Sequence, residues 1–487
     1  MSRQIWNPYM PEFEYIPDGE PHVFGDRVYV YGSHDRFNGH RFCLNHYVCY
    51  SADVKDLTDW KYEGVIYRND QDIRTADGNY ELWAPDVVRG KDGRYYLYYC
   101  PDSRILSIGV AVCDTPAGKY EFLGIVSDKE GRPIGEREGD TIQFDPGVFV
   151  DDDGTIYLYS GNGPRTEKEI GREPKASVVM TLEDDMVTIK TEPKKLLPTL
   201  EEAAGTGFEG HEFFEASSIR KVNGKYYLVY SPCCLHELCY AVSDRPDGGF
   251  EFGGVLVSNC DLFPDSERNV PRNWYGNDHG GIECINGQWY VFYHRQTNRH
   301  MFSRQACAEP LTMDENGRFA QVEMTSQGLN GKPLVGKGLY PASMVCNLYG
   351  TQVPDIVGNL GNGTEYPHLT QDGPDFDMEW MVNENVTTVK PPRQYIADCD
   401  NGTVAVFRYF EMEEFVNTIA VTAKGNAAGK LIVCLGEAGP KVGEISLSPA
   451  EEWTVFAGRT EIEPGVHQIC FRYEGEGKAD LLEFELL

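Results

Sequence analysis

DGRYYLYYC, residues 92–100, is a tight-turn signal followed by apolar and aromatic residues in alternation. The same pattern returns as GDRVYVYGS (25–33), DGTIYLYSG (153–161), NGKYYLVYS (223–231) and NGQWYVFYH (286–294). Aligned on their second aromatic, the copies place Tyr29, Tyr96, Tyr157, Tyr227 and Tyr290 at successive intervals of 67, 61, 70 and 63 residues. Each copy reads as a hairpin with at least one buried face. A supersecondary unit repeated at near-constant spacing, with no convincing long amphipathic helix between copies, predicts a solenoid or a propeller. Sixty-odd residues suit a four-stranded blade, so five copies predict five blades around an axis.

The residues in front of each copy carry the chemistry. Ten to twelve positions before the aligned tyrosines stand Asp18 in IPDGEP, Asp86 in ELWAPD, Asp145 in QFDPGVF, Glu215 in FFEASSIRK and His279 in NDHGG. The innermost strand of every propeller blade lines the central channel, so these five are expected to converge on one mouth. For any one of them a solvated loop charge is the ordinary reading. Four carboxylates at matched offsets point instead to a site where pKa values are pushed apart.

Composition narrows the partner. The chain has 487 residues, 41% hydrophobic and 12% aromatic, with a formal charge of −32. That charge disfavours nucleic acid, an anionic membrane surface and a uronate-rich polymer, and favours a neutral ligand. No apolar run is long enough to span a bilayer. The start, MSRQIWNPYMPEFEYIPDGE, shows no secretory pattern, and the fourteen cysteines are thinly spread, several inside strand-like runs, with Cys234 and Cys239 forming a lone C-x4-C. Both features predict a cytoplasmic protein with reduced, mostly buried thiols. Gly205, Gly207 and Gly210 match G-x-G-x-x-G without a βαβ unit around them, and Asp151–Gly154 reads as a hairpin turn rather than a calcium loop.

Taken together and in order, the Asn-Pro near the start, IPDGEP, ELWAPDV, FDPGVFVDDDG, FFEASSIRKVNGKYYLVYS and NDHGGIECINGQWYVFYHR resemble glycoside hydrolase family 43 over roughly residues 5–340. The resemblance implies a five-bladed β-propeller and an inverting α-L-arabinofuranosidase or β-xylosidase acting on neutral oligosaccharides of plant hemicellulose or arabinan, with related furanosides such as galactofuranose as the alternative. A non-catalytic sugar-binding propeller is a different class, and it would usually lack one of the essential carboxylates. By the same resemblance Asp18 is the general base, Glu215 the general acid, and Asp145 the third carboxylate that raises the pKa of Glu215 and orients it. The family's first motif is usually Asp-Pro, whereas Asp18 is followed by Gly19, so Glu20 stands as a rival base. Trp83 is expected as an aromatic wall for the sugar, or a core tryptophan. Asp86 is expected to bind substrate. Arg304, in MFSRQACAE, would anchor sugar hydroxyls, or make a surface ion pair. His279 would lie near a structural calcium or sodium ion in the channel, or be a neutral core histidine; no other cofactor is expected.

Beyond about Ser343 the aromatic repeat stops. The division is placed there, with a propeller over 1–343 and a second unit over 344–487. NLYGTQVPDIVGNLGNGTEYP (347–367) reads as a linker or an irregular entry, followed by TVAVFRYFEM, NTIAVTAKG, KLIVCLG, VGEISLS, WTVFAGRTEI, VHQICFRY and ADLLEFELL. These short alternating runs predict an antiparallel β-sandwich. The passage from DNGTVAVFRYF to the end resembles carbohydrate-binding module family 6, a jelly roll, which implies either sugar binding through Trp380, Tyr395 and Trp453 or packing against the propeller.

Overall fold

The structure is a computed structural model describing residues 3–487 apart from 103, 173, 265, 267, 359–364 and 387. Five antiparallel sheets follow one another along the chain, each made of contiguous sequence. The first contains β1 (Glu20–Phe24), β2 (Arg27–Tyr31), β3 (Tyr47–Asp53) and β4 (Asp56–Tyr67). The second contains β5 (Trp83–Arg89), β6 (Tyr95–Cys100), β7 (Gly109–Cys113) and β8 (Glu121–Ile125), and the third β9 (Gly147–Val150), β10 (Ile156–Asn162), β11 (Ala176–Leu182) and β12 (Lys194–Lys195). The fourth contains β13 (Phe213–Val222), β14 (Lys225–Pro232), β15 (Glu237–Ser243) and β16 (Glu251–Ser258). The fifth has three strands, β17 (Ile282–Ile285), β18 (Gln288–Thr297) and β19 (His300–Leu311).

The first strands β1, β5, β9, β13 and β17 touch in turn and close a ring, with Gly19 bridging to Gly280 where the fifth blade meets the first. This is a five-bladed propeller. All five aligned tyrosines fall on the second strand of their blade. The turns before them carry the residues the backbone needs: Asn223–Gly224 and Asn286–Gly287 have positive φ at both positions (50° and 82°, 50° and 85°), the conformation Asn-Gly favours in two-residue hairpins.

No strand is shared between the first and fifth blades, and the N-terminal segment clasps them instead. Ile5, Tyr9 and Met10 pack with Phe292, Ala306 and Ala308. The Asn7 amide donates to Ala308 O (3.0 Å), Glu309 Oε1 (2.9 Å) and Thr325 O (3.0 Å), and its oxygen accepts from the Ala308 N–H (3.0 Å).

The second unit is a long curled antiparallel sheet folded on itself. Phe407 and Phe471 from one half meet Phe484 from the other in a shared core, as a sandwich requires. All seven runs expected after residue 400 are strands. The unit starts earlier than the expected division at 343, because Leu334–Val335 and Gly338–Pro341 already pair with its strands. The linker reading of 347–367 also needs correction: Asn347–Tyr349 pairs with Val404–Val406, and part of the remainder, 359–364, lies outside the described residues.

The two units share apolar surface. Val404, Val406, Ile432 and Cys470 join Tyr240, Leu256, Val257 and Tyr293 of the propeller in one cluster. Buried Arg408 crosses the boundary to Asp261 (2.8 Å) and Glu323 (2.7 Å). Of the aromatic residues considered for sugar binding, Tyr395 and Trp453 are half-buried and lie edge to face at 5.4 Å with the Lys424 ammonium over both rings. Trp380 is exposed on the short helix α1 (Met378–Asn383).

Candidate active site

A cavity of about 320 Å³ opens at the convergence of the blades and is lined by Asp18, Trp83, Ala84, Asp145, Glu215, His279 and Arg304, with Phe42, Cys43, Phe144, Arg165, Phe214, Leu235, Asn277 and Met301. Blades one, three and four each send one carboxylate into it. Asp18 stands two residues before β1 and Asp145 two before β9, and both have left-handed backbone (φ 56° and 45°). Such conformations are uncommon for residues other than glycine and persist where the surrounding structure holds them. Glu215 lies within β13, between two register shifts that turn its side chain inward.

Asp86 is not at this level. It faces Tyr98 on β6, just as Glu20 faces Tyr31 on β2, so both lie one layer deeper in the channel. There Asp86 pairs with His22 (2.6 Å) and accepts from the N–H groups of Val87 and Val148 (both 2.7 Å). The expected substrate contact at Asp86 is therefore corrected: a register shift between Trp83 and Asp86 makes Trp83 and Ala84 the pocket residues of that blade. Glu20 is occupied likewise, accepting from Ser218 and paired with Arg220 (3.2 Å), and it does not line the pocket.

Arg304 lines the pocket but is not on the surface, and most of its guanidinium is committed to carboxylates. It is 1% exposed, donates to Asp18 Oδ1 (2.8 Å), and grips Asp35 through Nε (2.9 Å) and one terminal nitrogen (3.0 Å). Burial is the largest influence on the Asp18 carboxyl and pushes it up, but Arg304, with smaller help from His294, His279 and Ser33, outweighs it and holds the group below the usual range. His294 fixes the backbone on the other side. Its Nε2 donates to Asn277 O (2.8 Å), leaving Nδ1 to accept the Asp18 N–H (3.3 Å), and burial keeps the ring neutral with a pKa lowered to about 3.

The other two carboxyls behave oppositely. Burial lifts Glu215 to about 8, with the Asp18 charge adding to the effect. Asp145 is also held well above its ordinary value, by burial and by Glu215. The Asn162 amide donates to Glu215 at 3.3 Å. One pocket thus holds a carboxylate that stays ionised and a carboxyl that keeps its proton near neutrality, the pairing that general acid and base work requires.

His279 lines the pocket with Nδ1 3.5 Å from Asp145 Oδ2, and burial lowers its pKa to about 4. Among the described residues it belongs to no trio of ligating side chains; the channel's trio is Glu20, His22 and Asp86. Calcium takes six to eight oxygen ligands, and here Arg220 already neutralises Glu20. The side chains present do not fit the expected ion, either at His279 or in the deeper trio.

Trp83 lines the pocket as expected, and several further lining residues escaped the sequence reading. Trp83, Phe144 and Phe214 form an aromatic wall, with Trp83 edge to face against Phe144 (5.3 Å) and Phe42 (5.9 Å). A signal for Phe144 and Phe214 was present: each immediately precedes its blade's carboxylate, and Trp83 precedes Ala84. Phe42, Leu235, Met301 and His294 come from loops or later strands and carry no comparable mark.

The family model for Glycosyl hydrolases family 43 matches residues 15–319. A protein from Thermoclostridium stercorarium named xylosidase/arabinosidase is 46% identical over 100% of this chain and 99% of its own. One of the same name from Bacteroides ovatus is 31% identical over 65% of this chain and 97% of its own. In structure, a glycoside hydrolase family 43 arabinoxylan arabinofuranohydrolase from Bacillus subtilis, solved with cellotetraose, aligns with a TM-score of 0.51 at 20% identity, covering 99% of this chain and 97% of that one, a likeness of fold over both units. With the family model covering well over half the chain, and a relative similar from end to end, the protein belongs to glycosyl hydrolase family 43 and is a glycoside hydrolase.

Proposed function

We propose that the protein removes single terminal α-L-arabinofuranosyl or β-D-xylosyl residues from neutral oligosaccharides, with inversion. The observation that carries this reading is the opposite tuning of Asp18 and Glu215 within one cavity of about 320 Å³. That volume is at the lower end for small-molecule sites and suits one sugar ring. The names of the two relatives support a pentoside as substrate.

In this reading Glu215 gives its proton to the glycosidic oxygen as the bond to the anomeric carbon breaks. Asp18 takes a proton from water as that water attacks the opposite face, so the sugar leaves with inverted configuration and no sugar–enzyme ester forms. Asp145 takes the part of orienting Glu215; the expected push on the Glu215 pKa comes instead from burial and Asp18, while Asp145 is itself raised. Trp83, Phe144 and Phe214 supply apolar surface for the sugar ring. A neighbouring hollow of about 270 Å³ shares Phe42 and Trp83 with the pocket and adds Arg41, Glu81, Asp102, Arg104 and Phe302, which gives the leaving sugar a place. The fourteen free cysteines, ten of them buried, favour a reducing compartment such as the cytoplasm.

Rates on nitrophenyl α-L-arabinofuranoside, β-D-xyloside and β-D-galactofuranoside test the substrate. Proton NMR of the first-formed sugar tests the stereochemistry. Turnover of the galactofuranoside alone would overturn the pentoside assignment, and a retained anomer would overturn the roles of Asp18 and Glu215.

A further inference from the structure

Behind the pocket wall, at the end of the fourth blade, lies a cluster that the glycosidase chemistry does not use. The turn joining β14 to β15 reads Cys233-Cys234-Leu235-His236, and β15 opens with Glu237-Leu238-Cys239. Glu237 and Cys239 are two apart on a strand and so share a face. His211 arrives from the segment before β13, its ring stacked on Phe252 (4.7 Å, 12°) and its carbonyl held by the Tyr230 hydroxyl (2.7 Å).

The donor atoms lie close together. His211 Nδ1 is 2.7 Å from Glu237 Oε2, Cys239 Sγ is 3.5 Å from the same oxygen, and Sγ to Nδ1 is 3.8 Å. With metal–sulfur near 2.3 Å and metal–nitrogen or –oxygen near 2.0–2.1 Å, the edges of a tetrahedral site are about 3.3–3.6 Å. Two of the three edges are within a few tenths of an ångström of this. The third opens once a metal replaces the proton that His211 and Glu237 now share. Cys234 and His236 form a second trio with Glu237, all ligand atoms within 4.8 Å of one another. Cys234 is half-buried, which leaves a route for an ion to enter.

We propose that His211, Glu237 and Cys239 bind one zinc ion, and that Cys234, which the structure groups with Glu237 but not with His211 and Cys239, moves in as the fourth ligand. Two thiolates, an imidazole and a carboxylate form a donor set for a borderline-soft divalent cation, not for calcium or magnesium. Binding releases the thiol protons of Cys234 and Cys239 and the proton on His211 Nδ1, and the metal takes their place. The cluster has a position to act from. Leu235, between Cys234 and His236, lies on the wall of the catalytic cavity with a left-handed backbone (φ 72°) and is 3% exposed. The ion pins the turn that holds Leu235 in that conformation beside Phe214 and Glu215. It is a structural metal, outside the reaction itself.

The experiment uses the full chain, stripped with chelator and then given zinc or cobalt in competition with a chromophoric chelator. One zinc per chain is expected, with a higher melting temperature than the stripped protein. The cobalt form is expected to show a sulfur-to-metal charge-transfer band in the near ultraviolet. C234S and C239S should each weaken binding by at least about tenfold, a loss typical even of changes outside the ligand shell, and C284S should bind as the native chain does. No zinc retained by the native protein would overturn the proposal, as would unchanged binding by both cysteine variants. If those variants fail to fold, the native cobalt spectrum decides: a spectrum without the sulfur band overturns it.

Discussion

Arg304 donates to Asp18 Oδ1 at 2.8 Å while its other nitrogens grip Asp35, so one buried guanidinium is shared by two carboxylates from the first blade. Arg304 is the strongest influence lowering the Asp18 carboxyl against the upward push of burial, which suits Asp18 to the proposed role of base.

R304K should therefore raise the Asp18 pKa. A single ammonium cannot hold two carboxylates in the fork geometry of a guanidinium. The acid limb of the kcat/KM profile is expected to move to higher pH, each unit costing about tenfold in rate below the limb. An unmoved acid limb would separate Arg304 from the base.

Glu215 sets the alkaline side. With its pKa raised to about 8, kcat/KM should fall as pH rises through that value and Glu215 loses the proton it must donate. E215Q should abolish this limb. It should also lower turnover by about 10²–10⁴-fold on poor leaving groups, and by less on activated aryl glycosides, which need little protonation. Equal losses on both substrate classes would show that the proton comes from elsewhere.

Much of this was legible in the chain, and the boundary of legibility has a physical cause. The propeller announced itself because each blade must write its own hairpin, so the aromatic alternation after a Gly- or Asn-bearing turn recurs five times. Asp18, Asp145 and Glu215 followed from their fixed distance to that hairpin. Asp86 misled because an offset counted along the chain ignores a bulge, and the shift after Trp83 moves it one layer down the channel. Arg304 was visible as a residue but not as a partner, because its contacts to Asp18 and Asp35 join positions 286 and 269 residues apart. The early entry into the second unit was hidden for a similar reason, since Leu334–Val335 has no strand-like pattern of its own and is a strand only because residues 410–411 lie beside it.

The clasp at Asn7 should matter to stability more than a surface asparagine would. N7A removes three donated hydrogen bonds and one accepted one, all buried, and leaves the Ala308 N–H without its partner. A loss of about 2–4 kcal/mol is expected, measured by urea unfolding followed by tryptophan fluorescence. A change under about 0.5 kcal/mol, as for ordinary surface sites, would show that the blades close without it.

Arg408 is expected to be intolerant of simple truncation. R408A takes one of two guanidinium partners from the buried Asp261 carboxylate, leaving Arg268 at 3.0 Å, and should cost about 1.5–3 kcal/mol, whereas replacement of a whole buried ion pair by apolar side chains is often neutral. R408M with Asp261→Leu should therefore recover most of the loss in the same unfolding assay; a double variant as unstable as R408A would contradict that account.

Because every blade is built from one uninterrupted segment and the ring is shut by contacts between the fifth blade and the first, among them Gly19 meeting Gly280 and the Asn7 clasp, assembly can keep pace with synthesis. A nascent chain can finish each sheet as its outer strand leaves the ribosome, in keeping with the N-terminal-first order of domain folding. Until the fifth blade appears, the inner edge of the first stands uncovered with nothing to pair against. Asp18, the proposed base, sits on that edge. Asp18 is thus among the earliest residues made, but it gains Arg304 and His294, and with them its charge state, only when the last blade arrives. The pocket comes into being as the ring shuts, and a truncated chain carries the carboxylates without the chemistry.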